Sequence, residues 1–430
     1  MRGASPASHR GVTGADDGRR VDSALLAPTA VPPSWPPSLQ VLLGEPAPDV
    51  WAAVLGPLGG RLRSLTASTV TLRPDAAATV RYTAVVDWAD GRATRESLAA
   101  TTGAEVPPGA AVLEGAAPDG RPVTVGLWRW PLDPALPGLA WAASAARTAE
   151  RLAGLGLDVG SPRLRLRAYR PGRRAVVEVT SPAGRWFLKV VRPPAVADLA
   201  DRHRRLAASV PVPPLLAATD DGVVVSPGLP GTPMRAALAG DPTALPDPAA
   251  LGALLDALPP VGSVGRRDPA DPVPRVRAHA TVLGMVCPGL APRLERLVAA
   301  VGAAAGPHPA VPVHGDFYEA QLLVSEGAVS GLLDVDTAGP GARIDDWATL
   351  VAHLALLERL GDPGPVAAYR ARVQALLAGR LPAAELAARV AGVLLGLATG
   401  PFRVQQDDWA AATEARVALA EEWVRGSSSR

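Results

Sequence analysis

The chain has 430 residues, 48% of them hydrophobic, and this length is sufficient for two or three domains with sizeable cores. Its 46 prolines and 43 glycines break regular structure too often for a coiled coil or a long solenoid. The formal net charge is +2, and no basic run is interleaved with aromatic residues, which argues against nucleic-acid binding.

The N-terminal segment and the cysteine content bear on location and redox chemistry. The first 25 residues contain no apolar core of a secretory signal, and no charge-free apolar run reaches 18 residues. Cys287 is the only cysteine, which excludes an intramolecular disulfide framework and a cysteine-based zinc site. We expect a cytoplasmic protein that does not span a membrane, and the sequence leaves its oligomeric state open.

The first third of the chain divides into a tail and a mixed region. Residues 1–40 are polar and then proline-rich, and we predict a disordered tail there. Residues 41–150 predict a cap-like α+β region that ends with the turn-rich connector DPALPGL at 133–139. Its predicted strands are 69–73, 79–87 and 123–130.

A β-rich lobe with a hinge is predicted over residues 151–235. Within 163–192, RLRLRAY alternates arginine with apolar residues, and turns separate it from AVVEVT and RWFLKVV, which predicts three strands. Residues 69–100 have a similar order of strands and turns, which indicates either a β-repeat or two hairpins that look alike by chance. A helix is predicted over 195–208 and a strand over 223–231 that ends in a Pro/Gly connector.

Residues 236–430 predict a mostly helical lobe, because the sequence becomes rich in alanine and leucine. Two short strands interrupt it near 311–336 and can pair as a hairpin through SEGAVSG. The strand segments end in Asp316 and Asp334, with Gln321 between them, so these three oxygen-bearing side chains would meet at one end of the hairpin.

This combination meets the requirements of phosphoryl transfer from ATP. The reaction needs a carboxylate near the acceptor hydroxyl, oxygen ligands for Mg²⁺ and a cation on the phosphates. Lys189 is the only lysine of the chain and would reach across from a strand of the other lobe. Because it follows Leu188 and not glycine, a P-loop is excluded, and the glycine spacing of GLGLDVG at 154–160 argues against a dinucleotide fold.

The motifs HGDFYEAQ at 314–321, LLD at 332–334, AGPG at 338–341 and DWA at 346–348 resemble the aminoglycoside phosphotransferase family, within the protein-kinase-like superfamily. The resemblance covers about residues 151–425. It implies a bilobal protein-kinase-like α+β fold, with 41–150 as an extra N-terminal cap.

The resemblance implies a role for each matching residue. Asp316 would be the catalytic base, Asp334 and Gln321 the Mg²⁺ ligands, and Lys189 the phosphate-binding cation. His314 and Asp346 would support the catalytic loop. The adenine of ATP would contact the hinge; its residues would be Pro227, Gly228 and Leu229.

The sequence departs from the family pattern at three points. Gln321 replaces asparagine, which resembles maltokinase-like members that also carry an N-terminal cap. RPGRR at 170–174 stands in place of the glycine-rich nucleotide loop, where either backbone amides or Arg173 would contact the phosphates. For the acidic partner of Lys189, the following helix offers Asp198 and Asp201 in place of glutamate.

Several other polar residues have an ordinary structural interpretation. We predict that Arg173 and Arg174 form a solvated turn and that Asp345 lies on the surface. Asp336 is either a second metal ligand or a solvated acid. The histidines are expected to be structural, as is one of the tryptophans beside Arg129, and the acids of the C-terminal segment are expected to be solvated; these are His203, His279, His353, Trp128, Trp130, Asp407, Asp408, Glu414, Glu421 and Glu422.

The sequence therefore predicts an ATP- and Mg²⁺-dependent kinase acting on a hydroxyl of an aminoglycoside, a sugar or a related metabolite. A maltokinase-like sugar kinase is one alternative. Another is a kinase-like regulatory protein that binds nucleotide without transferring phosphate, which the altered loop and Gln321 would favour.

Overall fold

A computed structural model describes residues 31–240, 242–262, 271–361 and 363–428. In chain order these residues form a cap built on an antiparallel sheet, a β-rich lobe and a helical lobe. The predicted α+β fold, with two kinase-like lobes and an additional N-terminal sheet, is confirmed.

The cap consists of two helices packed on a five-stranded antiparallel sheet. The helices are α1 (Pro37–Leu43) and α2 (Pro46–Leu55). The strands have the order β1-β2-β3-β5-β4 and are β1 (Gly60–Leu72), β2 (Ala78–Trp88), β3 (Ala93–Thr102), β4 (Ala111–Ala116) and β5 (Pro122–Arg129). Alternate residues of β2 are buried, and Tyr82 among them donates from its hydroxyl to the Leu42 carbonyl at 2.6 Å. This alternation directs one face of the sheet against the helices.

Two sequence predictions for this region require correction. The predicted tail is wrong at its end, because α1 begins at Pro37 and Trp35 is buried; residues 1–30 lie outside the described residues. Strands β3 and β4 were not predicted. The alanine-rich β3 has weak intrinsic strand propensity and is held by pairing with both β2 and β5.

The β-rich lobe begins earlier than the predicted boundary at residue 151. Helices α3 (Leu139–Ala142) and α4 (Ala145–Gly154) precede its sheet. Leu136, Leu139 and Leu152 pack with residues of that sheet and not with the cap core. The connector after β5 is therefore part of the second lobe.

The second sheet repeats the strand order of the cap sheet. Its order is β6-β7-β8-β10-β9, with β6 (Arg163–Arg170), β7 (Arg174–Ser181), β8 (Gly184–Val191), β9 (Ala217–Ala218) and β10 (Val223–Pro227). In both sheets the first three strands form a meander and the fifth lies between the third and fourth. The shared order supports the β-repeat interpretation, although helix α5 (Val196–Ala207) occurs only in the second lobe.

Helices dominate the third unit. They are α6 (Met234–Ala239), α7 (Pro248–Asp256), α8 (Val273–Val286), α9 (Ala291–Ala304), α10 (Arg343–Leu360), α11 (Pro363–Leu377), α12 (Ala383–Ala398), α13 (Gly400–Arg403) and α14 (Trp409–Ser428). The short strands are β11 (Thr232–Pro233), β12 (Val311–Val313), β13 (Leu322–Ser325), β14 (Ala328–Leu332) and β15 (Gly339–Gly341).

The hairpin predicted near 311–336 is confirmed as the pair β13–β14. Strand β12 belongs elsewhere, because it pairs with β15. The motif HGD thus follows the two-stranded sheet of β12 and β15, and five residues separate it from β13 in the three-stranded sheet of β11, β13 and β14. Phe317 between the two sheets and Leu332 on β14 are part of the large apolar core of the helical lobe.

One helical stretch, Ala383–Arg403, is long and apolar enough to cross a membrane by length and composition. Within its most apolar window, 61% is buried inside the protein. Glu385 and Arg389 on it form a buried ion pair at 2.9 Å. These contacts are those of a core helix of the third unit.

Candidate phosphotransfer site

The loop after β12 is held by a buried carboxylate. Asp346, at the start of α10, is 1% exposed and accepts the backbone N–H groups of His314 at 2.9 Å and Gly315 at 2.8 Å. Burial raises the pKa of Asp346 to about 6, and the two N–H donors oppose that rise. The residue thus braces the loop that carries Asp316, in the place predicted for it.

Gly315 gives this loop its shape. Its φ of +80° is in the left-handed region, and a Cβ atom there would lie 2.7 Å from the carbonyl oxygen of Thr337. The Thr337 hydroxyl in turn donates to the His314 carbonyl at 3.0 Å. The loop is therefore packed directly against the segment that follows Asp334.

His314 connects the same two segments through its ring. Its Nε2 atom lies 2.9 Å from the Leu333 carbonyl, and the residue is fully buried. Burial lowers the pKa of the imidazole, so the neutral ring is the form that fits. The ring thus links the two segments, and the supporting role of His314 in the reaction stays a prediction.

Asp316 and Gln321 meet next to this frame. Burial, followed by the charge of Asp334, raises the pKa of Asp316, whereas Arg174 and a hydrogen bond from the Gln321 side chain oppose the rise. Gln321 is 7% exposed, and its backbone carbonyl accepts Leu333 N–H at 2.8 Å. The half-buried carboxylate of Asp316 is thus close to the start of the Asp334 segment.

Asp334 lies at the junction of the two lobes. It follows β14 and has a φ of +54°, which is uncommon outside glycine and asparagine. Lys189 from β8 donates to its carboxylate at 2.6 Å, and Arg174 from β7 lies 3.2 Å away. Asp336 also pairs with both cations. Two acids of one lobe therefore face two bases of the other.

These cations control the protonation of the acid. Burial alone would raise the pKa of Asp334, but the charges of Lys189 and Arg174 lower it well below its usual value. Asp334 is consequently anionic throughout the physiological range. A hard, permanently charged oxygen is the donor that Mg²⁺ prefers.

The donor set fits a magnesium ion. Asp334 and Asp336 provide carboxylate oxygens, and Gln321 provides a carboxamide oxygen within the same cluster. No group of three or more histidine, cysteine, aspartate or glutamate side chains forms a metal cage among residues 31–240, 242–262, 271–361 and 363–428.

The segment after β10 joins the two lobes. Gly228 N–H donates to the Arg185 carbonyl at 2.7 Å, and the Arg185 guanidinium donates to the Leu229 carbonyl at 3.2 Å. Gly231, at φ +113°, approaches Ser330 so closely that a Cβ atom would lie 2.2 Å from its hydroxyl oxygen. Pro227, Gly228 and Leu229 thus occupy the predicted hinge, and their contact with adenine stays a prediction.

The acidic partner of Lys189, which the sequence left open, is Asp334 together with Asp336, whereas Asp201 pairs with Arg205 on its own helix. Two interpretations of charged residues were wrong. Arg174 is not a solvated turn residue, because its guanidinium is half-buried on Asp334 and Asp336.

Asp345 is the second case. It was expected on the surface but is only 17% exposed, and it pairs with the buried Arg389 at 2.8 Å. The sequence had no signal for this pairing, because 44 residues separate the two partners.

Sequence reasoning also missed a buried acid within the catalytic-type loop. Glu319 is fully buried and pairs with Arg235 of α6, and its second oxygen lies 3.9 Å from the His353 ring. Tyr318 stacks on that ring with 3.9 Å between centroids. Burial raises the pKa of Glu319 and lowers that of His353 to about 3. The position of Glu319 between Asp316 and Gln321 in the sequence could have identified it as part of this loop.

Comparison with known proteins decides the family. The family model for phosphotransferase enzymes, abbreviated APH, matches residues 165–388, which is more than half of the chain. The chain belongs to the phosphotransferase enzyme family. The match spans Lys189, Asp316, Gln321, Asp334 and Asp346, whereas the cap lies outside it. No curated protein matches the chain.

Solved structures of phosphotransferase enzymes are similar to part of the chain. A macrolide 2'-phosphotransferase type I is 20% identical, with a TM-score of 0.45, over 64% of this chain and 97% of that one. Macrolide 2'-phosphotransferase MphH from Brachybacterium faecium is 22% identical, with a TM-score of 0.41, over 64% and 96%. A thermostable mutant of aminoglycoside phosphotransferase APH(4)-Ia, in ternary complex with AMP-PNP and hygromycin B, is 17% identical, with a TM-score of 0.48, over 65% and 99%.

Proposed function

We propose that this member of the phosphotransferase enzyme family is an ATP- and Mg²⁺-dependent small-molecule kinase that phosphorylates a hydroxyl group. The observation that supports the proposal is the convergence of Lys189, Asp316 and Asp334 from three separate segments onto one cleft between the lobes. A cation, a general base and a metal-binding carboxylate are the groups that phosphoryl transfer requires.

Each residue of the site has a separate role in the proposed phosphoryl transfer. Asp316 accepts the proton of the acceptor hydroxyl, and its raised pKa brings it nearer to the pH at which it works as a base. Lys189 binds the nucleotide phosphates. Asp334 and Gln321 hold Mg²⁺, which neutralises phosphate charge when bound. Asp346 and His314 keep the loop in place through the bonds described above.

The acceptor hydroxyl belongs to an aminoglycoside, a sugar or a related metabolite, and the charge distribution favours the uncharged members of that group. A polycationic aminoglycoside needs unpaired acids. Of the five C-terminal acids that were available in the sequence, three are already paired, Glu414 and Glu421 with Arg293 and Glu422 with Arg359. Asp407 and Asp408 have no ion pair within the described residues. We therefore favour a sugar, as a maltokinase-like enzyme would use, in a cytoplasmic protein with access to ATP.

One observation favours a second candidate, a regulatory protein that binds nucleotide without transferring phosphate. Both metal-binding carboxylates are neutralised by Lys189 and Arg174, an arrangement that Mg·ATP has to displace. The presence of Asp316 beside this cluster favours the kinase, because a protein that only binds nucleotide has no need of a base there.

Phosphorus NMR with a panel of sugars, amino alcohols, nucleosides and aminoglycosides separates the candidates. A kinase converts ATP to ADP only with a suitable acceptor and forms a new phosphate ester, and Asp316→Asn loses this turnover. If ATP binds but no acceptor in the panel is phosphorylated, the regulatory candidate replaces the kinase. If an aminoglycoside is phosphorylated and sugars are not, the preference for an uncharged acceptor is wrong.

A further inference from the structure

The turn between β6 and β7 is fastened from outside its own hairpin. It comprises residues 170–173 and stands where protein kinases have a glycine-rich loop over the nucleotide phosphates. Gly172, with a φ of +67°, donates its N–H to the carboxylate of Asp133 at 2.7 Å. The Gly172 carbonyl accepts from the guanidinium of Arg192 at 2.7 Å. Both polar groups of Gly172 are thus bonded to partners outside the turn.

Asp133 is built into the connector that follows the cap. It is 2% exposed, and besides Gly172 N–H it accepts the Tyr169 hydroxyl at 2.9 Å and Ala135 N–H at 3.0 Å. Burial raises the pKa of Asp133, and these donors oppose the rise. A buried acid with three donors is anchored in one position, so the turn that it holds is anchored as well.

The anchor extends into the cap itself. Trp128, on the last cap strand β5, donates from its indole N–H to the Tyr169 hydroxyl at 3.1 Å. Trp130 packs its ring edge-on to Tyr169 with 4.8 Å between centroids. A continuous chain of contacts therefore runs from the cap sheet through Tyr169 and Asp133 to Gly172.

Because the Gly172 N–H already donates to Asp133, it is not available to bind the phosphates of a nucleotide. An N–H group that already donates to a buried carboxylate does not also cradle a phosphate. The turn therefore contributes through side chains, and Arg174 is the one it delivers, since it begins β7 and contacts Asp334 beside Lys189. The position of the turn determines the position of this guanidinium.

We propose that Asp133 is a positioning residue for nucleotide binding, which sets the β6–β7 turn and thereby Arg174, so that the connector after the cap contributes to ATP affinity. The inference rests on the proposed function, because it assumes that ATP binds beneath the turn. It assigns to the cap boundary a role in the reaction that the family match at residues 165–388 does not cover.

The test is calorimetric titration of the full chain with Mg·AMP-PNP, together with thermal unfolding of each variant. We expect Asp133→Asn to weaken nucleotide binding about tenfold, since it loses a charge-assisted hydrogen bond to the turn. Tyr169→Phe, which leaves the bond to Gly172 in place, should weaken binding less. Asp119→Asn is the matched control, because Asp119 is an exposed cap acid bonded only to Arg121.

A second readout separates positioning from general stability. In a steady-state assay, Asp133→Asn should raise the KM for ATP about tenfold and leave the KM for the acceptor unchanged. Gly172→Ala changes the turn itself and should likewise raise the KM for ATP without changing the KM for the acceptor. This variant replaces Asp133→Asn in the test if Asp133→Asn does not fold.

Three outcomes overturn the inference. A lowered melting temperature with wild-type nucleotide affinity would mean that Asp133 is only structural. Equal effects on both KM values would also contradict a role directed at the nucleotide. If the wild-type chain itself binds no nucleotide, the proposed function fails together with this inference, whereas binding by the wild type with unchanged affinity in Asp133→Asn removes the inference alone.

Discussion

Removal of the Arg174 guanidinium should shift the affinities for metal and for nucleotide in opposite directions. Arg174→Met keeps most of the side-chain length and its apolar stem but deletes the charge that lies 3.2 Å from Asp334 and 2.9 Å from Asp336. Without it, Mg²⁺ competes only with Lys189 for these carboxylates. At the same time, one of the two cations proposed to contact the nucleotide phosphates is lost, so the affinity for ATP should fall.

The magnitudes follow from the ion-pair geometry. A pair at about 3–4 Å near a protein surface is worth up to about 4 kcal/mol by Coulomb's law. Solvent screening at a guanidinium that is 28% exposed reduces this to about 1 kcal/mol. We therefore expect half-saturation at a Mg²⁺ concentration about fivefold lower. The KM for ATP should rise about tenfold, since a hydrogen bond to a charged group is worth about 1.5–3 kcal/mol.

The assay is initial-rate measurement of ADP formation with Mg²⁺ varied at saturating ATP, and with ATP varied at saturating Mg²⁺. Arg165→Met is the matched control, because Arg165 lies on the neighbouring strand β6, is exposed and makes no ion pair within the described part of the chain. An Arg174→Met enzyme that requires more Mg²⁺ than the wild type, or that keeps its KM for ATP, would refute this account of the site.

Three further predictions concern the catalytic loop. Asp316→Asn should reduce turnover by about 10²–10⁴-fold in the coupled ADP assay, and an unchanged rate would remove Asp316 as the base. Gly315→Ala places a Cβ atom 2.7 Å from the Thr337 carbonyl and should cost about 1–3 kcal/mol of unfolding free energy in urea; a stability equal to that of the wild type would contradict the loop geometry. Because the folded pKa of Asp346 is raised to about 6 from an ordinary value of 3.8, the folded state binds the extra proton, so stability should fall by roughly 3 kcal/mol as pH rises from about 4 to about 6. Asp346→Asn should remove that slope in urea unfolding at fixed pH values, and an identical slope in the variant would assign it to other groups.

The parts of the fold with strong local signals were predictable from the sequence. The alternating strands of 163–192 and the hairpin that carries Asp334 form as predicted, because a period-two pattern and turn residues specify them locally. Strand β3 was missed because its alanines have low strand propensity and its pairing with both β2 and β5 is not visible in the sequence. The boundary at 151 was misplaced because Leu136 and Leu152 reveal their partners only in three dimensions.

The same limit applies to the site. Asp316, Gln321 and Asp334 were predicted to lie together because the motif places them at fixed spacings. The partners of Lys189 were not, since Asp334 lies 145 residues away and the expected acids were sought on the next helix. Arg174 was assigned to solvent because a sequence that reads Arg-Pro-Gly-Arg-Arg resembles an exposed turn, and only the packed lobes bring Asp336 against it. The contact of Asp133 with Gly172 could not be predicted, because the sequence around Asp133 indicates only a turn-rich connector.

The most direct test of the central claim titrates Mg·ATP into the wild-type chain, Asp316→Asn and Asp334→Asn, and follows acceptor phosphorylation in the same samples. If Lys189, Asp316 and Asp334 form one phosphotransfer site, Asp316→Asn binds Mg·ATP like the wild type but phosphorylates about 10²–10⁴-fold more slowly, and Asp334→Asn loses both properties. Wild-type binding of Mg·ATP by Asp334→Asn, or phosphorylation at the wild-type rate by Asp316→Asn, would contradict the claim.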